Sequence, residues 1–221
     1  MTGSALRGWT VVSILTAAAI YVALLMGYLH HWCQMSSIDA RALRWTYDMA
    51  MTHPGWVSWW DGVSTVLEPA VLRAAAMIAA LVAAVRRRWR SAVFLLVAVE
   101  TTGVLTTVAK NSVGRPRPVT ALVAATSTSF PSGHALGVMA AVSAFLVLAL
   151  PALGRASRVG ALGVGVLVVG SVGFARVALN VHHPSDVLAG WALGWAYVMV
   201  WALIVQPWRT RGEPRRAVAG V

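Results

Sequence analysis

Three groups of residues have the types and spacing to do chemistry on a phosphate. Lys110, Arg117 and Arg176 stand at the ends of apolar runs, in a chain of which only 11% is charged. A guanidinium donates in a fork matched to phosphate oxygens, and an ammonium supplies a point charge. A lone cation at the end of a membrane span is usually an anchor whose stem lies along the apolar surface; three that converge are a binding site. The second group is Pro131-Ser132-Gly133-His134, directly before an apolar run. Gly133 lets backbone approach an anion closely, and the first amides of a helix starting here are unpaired and attract negative charge. Ser132 reads first as the helix cap. The third group is His182 and Asp186, four residues apart. A carboxylate bonded to one ring nitrogen fixes the tautomer and frees the other nitrogen as nucleophile or base. His183 is the rival for that role, and Pro184 suits the first turn of a helix beginning there. Arg115 has no such spacing and is not assigned to the site; contact with lipid headgroups is one reading of it. Together the groups point to phosphoryl transfer.

The elements that must position these residues are membrane helices. The chain has 221 residues, is 58% hydrophobic and has a mean hydropathy of +0.71, which indicates a membrane protein. A spanning helix takes about 20 apolar residues. Six are expected, near 9–29, 69–85, 91–109, 134–153, 159–179 and 185–206. All must be helices, because lipid-exposed backbone has to satisfy its own hydrogen bonds. The first run is too long for a signal peptide and reads as a retained span. Residues 32–68 are more polar and rich in tryptophan, which predicts one or two short interfacial helices broken at Pro54-Gly55. The expected organisation is a single all-α domain over residues 1–221, ending in a basic tail from about 207.

The net charge of +11 is carried mostly by loop arginines. With six spans, Arg7, Arg86–Arg90, Arg155, Arg158 and the tail arginines share one side. The positive-inside rule makes that side cytoplasmic, with both termini, and puts the three chemical groups on the opposite face. The charge is thus read as topology, not nucleic-acid binding. The single Cys33 excludes an internal disulfide and a multi-cysteine metal site. Glu100, mid-span among threonines, is read as a protonated carboxyl bonded to a neighbouring helix.

The three groups, in order, resemble the motifs of the type 2 phosphatidic acid phosphatase (PAP2) superfamily, which also includes vanadium haloperoxidases. Its K-x6-R-P matches Lys110 to Pro118 in full, and its P-S-G-H matches Pro131 to His134. Its S-R-x5-H-x3-D matches Arg176, His182 and Asp186, with Ala175 where the family usually has serine. The resemblance implies a lipid phosphatase working through a phosphohistidine, with no metal and no cofactor. His182 would attack phosphorus, Asp186 would orient it, and His134 would protonate the leaving group. Lys110, Arg117, Arg176 and the Ser132 and Gly133 amides would hold the phosphoryl oxygens, as charge spread over them in the transition state requires. The expected partners are the bilayer and a lipid phosphate. A polyprenyl phosphate or diphosphate is the first choice, and phosphatidylglycerophosphate or phosphatidic acid the alternative. A phosphotransferase with the same intermediate is the other reading.

Overall fold

The computed structural model describes residues 3–208. These fold into nine α-helices: α1 Gly3–Leu29, α2 Cys33–Thr52, α3 Trp56–Val66, α4 Pro69–Val85, α5 Trp89–Leu95, α6 Thr102–Val113, α7 Gly133–Ala149, α8 Arg155–Ala178 and α9 Pro184–Val205. A π-turn over Leu96–Glu100 joins α5 to α6, and there is no strand among the described residues. Six segments are long and apolar enough to cross a membrane: Arg7–Leu29, Trp56–Val85, Trp89–Val113, Gly133–Ala152, Arg155–Ala178 and Pro184–Val205. This is a multi-pass, all-helical membrane protein.

The second span is where the structure refines the expectation most. The polar segment 32–68 does hold two helices, and their break is at Gly55, whose φ of 88° is the left-handed conformation that glycine favours. The apolar stretch, however, starts at Trp56 rather than Pro69. Only Leu67 and Glu68 separate α3 from α4, and Pro69 at the first helical position restarts the helix. The basic tail expected from about 207 falls, from residue 209 on, outside the described residues.

Helices α7 and α9 form the centre, with α1 against α9 and α8 against α7. Two glycines of α9 permit their approach. A Cβ at Gly190 would stand 2.6 Å from the carbonyl oxygen of Ser132, and one at Gly194 would stand 2.6 Å from that of Leu136. Small residues at such crossings let membrane helices gain packing contacts that larger ones would block. Towards one end of the bundle the core is apolar: Phe94, Leu95, Ala98, Ala140, Ala144, Val198 and Ala202 are all buried. Towards the other end lie the first residues of α7 and α9, the last residues of α6 and α8, and the loop 114–132.

Candidate active site

Each site residue is placed by an element boundary. Lys110 is in the last turn of α6, whose C-cap Gly114 is left-handed (φ 67°) and turns the chain into the loop. Arg176 is in the last turn of α8. Ser132 caps α7, its hydroxyl accepting from the Ala135 amide at 3.4 Å. His183 is the N-cap of α9, and His182 sits one residue before it in the turn between α8 and α9. His182 and Asp186 are therefore not two positions on one helix. The turn presents one and the helix presents the other.

Three cations and two histidines converge. Lys110 donates to the Thr128 carbonyl. Arg117 donates to the carbonyls of Ser127 and Val181, each at 2.7 Å, and its Nη1 lies 3.2 Å from His182 Nε2. Arg176 donates to Ser64 Oγ at 2.7 Å, and its Nε is buried with no protein partner among the described residues. The half-buried His134 feels the charge of Arg176, Arg117 and Lys110, and of His182. The structure thus brings together Lys110, Arg117, His134, Arg176, His182 and Asp186.

The tautomer of His182 follows from its neighbours. Arg117 can only donate, so the lone pair of His182 is on Nε2 and the proton is on Nδ1. Nδ1 faces Ser129 Oγ at 3.5 Å and Asp186 Oδ2 at 3.6 Å. The carboxylate is just beyond direct hydrogen-bond distance. Ser129 bridges the gap, since its hydroxyl also donates to Asp186 Oδ2. Burial pushes the His182 pKa down to about 4 against the pull of Asp186. That favours the neutral ring at pH 7. Burial also lowers Arg117, again opposed by Asp186. His183 is closer to the carboxylate, with Nδ1 3.1 Å and its amide 2.8 Å from Asp186 Oδ2. The His183 amide donates to the Asp186 side chain and the Asp186 amide donates to the His183 side chain, a capping box, so the His183 ring is spent on the start of α9.

Two expectations need correction. Arg115 does not face headgroups. It is 7% exposed and donates to Asp186 Oδ1 at 2.6 Å, Ser185 Oγ at 2.8 Å and Asp39 Oδ2 at 2.9 Å, with Tyr28 against its face. Buried carboxylates need a paired cation, and spacing within the sequence motif cannot show which loop residue turns inward. The Ser132 amide is likewise not open to an anion, because it donates to the Asp186 carbonyl at 2.9 Å. The amides of Gly133 and His134 remain as the unpaired donors at the start of α7.

Sequence reasoning missed Asp39, Ser129 and Ser64. Asp39 on α2 is 3% exposed and accepts from the Ser185 amide, the Ser185 hydroxyl and Arg115. Its only signal was being a charge amid the tryptophans. Ser129 and Ser64 carry no signal at all. The tryptophans pack as well as lie at an interface: Trp45, Trp56 and Trp60 surround Phe174, two residues before Arg176, and Trp56 Nε1 donates to the Ala178 carbonyl.

The family model described as "PAP2 superfamily" matches residues 91–210, more than half of the chain and all of the motif residues. The chain belongs to the PAP2 superfamily. Over 113 residues it is 40% identical to phosphatidylglycerophosphatase B of Bacillus subtilis strain 168. That match covers 49% of this chain and 55% of the relative, so it spans about half of the curated protein's length. The crystal structure of a transmembrane PAP2-type phosphatidylglycerolphosphate phosphatase from Bacillus subtilis superposes with a TM-score of 0.74. It covers 91% of this chain and 99% of that one at 24% identity, a likeness of fold.

Proposed function

We propose that this PAP2 chain is a lipid phosphatase that releases phosphate from a membrane lipid through a phosphohistidine on His182. The observation that carries the reading is the His182 ring itself, neutral and with its Nε2 lone pair turned towards Arg117. A phosphoryl group seated on Lys110, Arg117, Arg176 and the Gly133 and His134 amides would lie in front of that lone pair. Nε2 bonds to phosphorus as the ester oxygen leaves, and His134, protonated once the bound phosphate anion offsets the charge of Arg176, Arg117 and Lys110, gives that oxygen its proton. The attacked ring becomes cationic, and Asp186 and Ser129 on the Nδ1 side offset the charge. Water, deprotonated by His134, then cleaves the N–P bond. The cations supply in fixed form the charge stabilisation that phosphoryl transfer demands.

The substrate class follows the relatives more than the sequence. A polyprenyl carrier phosphate is the first expectation from the chain alone. The two Bacillus proteins, one similar in sequence and one in fold, support a phosphatidylglycerophosphate-type lipid instead. The site end of the bundle is the extracytoplasmic one by the positive-inside rule, since Arg7, Arg86–Arg90, Arg155 and Arg158 all lie at the other helix ends. The test is phosphate release by purified protein in EDTA, from phosphatidylglycerophosphate, phosphatidic acid and polyprenyl phosphates, with His182→Ala beside the wild type. Turnover in EDTA that vanishes in the variant is the expected result. No release from any lipid, or full activity in the variant, sinks the reading.

A further inference from the structure

The chain carries a further cation near the site, apart from Arg115, that the reaction does not use. Arg73 projects from α4 into the bundle, half-buried, and its guanidinium has no hydrogen bond or salt bridge among the described residues. It lies against Gly103 of α6, where a Cβ would stand 3.1 Å from Nη1. The glycine makes room for the guanidinium. Below it, Glu100 in the π-turn is within charge–charge reach of Arg73, and its Oε1 is buried without a partner. A cation at membrane depth with no direct hydrogen bond or salt bridge among the described residues is costly and marks a functional group.

The position relative to the phosphate cradle is what gives this cation a meaning. Gly103, Thr106 and Lys110 recur at helical spacing on one face of α6. The upper part of that face meets the start of α7: a Cβ at Gly133 would stand 2.9 Å from Thr106 Cγ2 and 3.8 Å from Lys110 Cε. An anion on the Gly133 amide therefore sits between the levels of Thr106 and Lys110. Arg73 sits at the level of Gly103, about 4.5 to 10 Å deeper at 1.5 Å per residue. On either side, the exposed apolar faces of α4 (Val71, Ile78) and α6 (Val104, Val108) look towards the lipid.

We propose that Arg73 is a second anion subsite, taking the phosphodiester of a lipid whose terminal phosphate occupies the cradle at His182. This rests on the lipid phosphatase reading above and deepens it. A phosphomonoester and a phosphodiester joined by a three-carbon glycerol bridge are six single bonds apart. Extended, that is roughly 7 Å between phosphorus atoms at bond lengths near 1.5 Å, which matches the depth between the two sites. A diphosphate has a single bridging oxygen and is too short to reach. Phosphatidic acid has no second phosphate to offer. The subsite thus selects glycerol-spaced two-phosphate lipids, with the tails leaving along α4 and α6.

The experiment compares wild type, Arg73→Gln and Arg73→Lys on three substrates in the same detergent: phosphatidylglycerophosphate, phosphatidic acid and a prenyl diphosphate. Arg73→Gln is expected to raise KM for phosphatidylglycerophosphate about 10-fold or more, as loss of a charge-assisted contact does, and to leave the other two within about two-fold. Arg73→Lys, which keeps the charge, recovers part of the loss. An equal loss on all three substrates, or no change on any, overturns the subsite. Failure of the wild type to release phosphate from any of the three would overturn the lipid phosphatase reading itself, which is a separate outcome. Thermal unfolding of each variant in detergent separates a binding defect from a folding one.

Discussion

The two ends of the bundle are held together in opposite ways. At the end far from the site, Phe94, Leu95, Ala98, Ala140, Ala144 and Val198 pack in one apolar cluster. At the site end, Asp39, Arg115, Ser129, Arg176, Asn180, His182, Ser185 and Asp186 are all buried, and their partners come from α2, α3, α9 and the loop. Apolar packing is non-directional, so it tolerates exchange of similar volumes. A buried charge is tolerated only with its own partner at its own distance. The far end therefore constrains the helices loosely, and the site end constrains them residue by residue. Asn180 illustrates the second regime: at φ 54° it turns the chain between Arg176 and His182 while bonding Thr46 of α2 and Thr120 of the loop.

Perturbations at the two ends should differ accordingly. The largest effect is expected for His182→Ala, which should lower metal-independent phosphate release by at least about 10⁴-fold, as loss of a nucleophile does in other hydrolases. His183→Ala should retain most activity and cost about 1 kcal/mol of stability for the lost cap. Steady-state assays and thermal melts on both variants check this, and a reversed order would exchange the two histidines' roles.

Next comes Arg115→Gln. It leaves Asp39 and Asp186 as buried carboxylates with no shared cation, which should cost about 3–5 kcal/mol and read as a large fall in melting temperature. Leu95→Met, the matching change at the apolar end, should cost under about 1.5 kcal/mol with unchanged turnover. Equal losses from the two would erase the distinction between the ends.

Ser64→Ala should act more gently. It frees Arg176 without removing it, so affinity for phosphate or vanadate as competitive inhibitor should weaken several-fold, about 1 kcal/mol for one hydrogen bond to a charged group. Ser64→Thr should restore it. Inhibition constants measured on both variants test whether α3 positions Arg176.

The smallest effect is a displacement along the pH axis. In the proposed mechanism His182 works in its neutral form, and its pKa of about 4 lies below the ordinary histidine value of 6.5. As pH falls, the nucleophile should therefore survive through 6.5 and be lost only towards 4. The pH profile of kcat/KM, corrected for the substrate phosphate's own ionisation near pH 6, should show no acid limb at 6.5 belonging to the enzyme.

Much of the molecule was legible in the sequence. Continuous apolar runs of 20 or so residues can be little else than membrane helices, so six spans and an all-helical fold follow from hydropathy alone. Lys110, Arg117, His134, Arg176, His182 and Asp186 could be picked out because charge at such positions is rare, and their order matched a family. The break at Gly55 and the cap at Ser132 were legible because their chemistry is local.

Only the tertiary structure decided which polar groups meet. Arg115 and Arg117 are two residues apart in one loop, yet one pairs with two buried carboxylates and the other faces the His182 lone pair. Asp39 lies 76 residues from Arg115, and Ser129 reaches Asp186 across 57. Nothing in the residue types marks these pairings. Sequence alone determined where the charges are too costly to be idle; the packing of α2, α3 and the loop onto α8 and α9 decided which of them pair with buried carboxylates and which gather around His182.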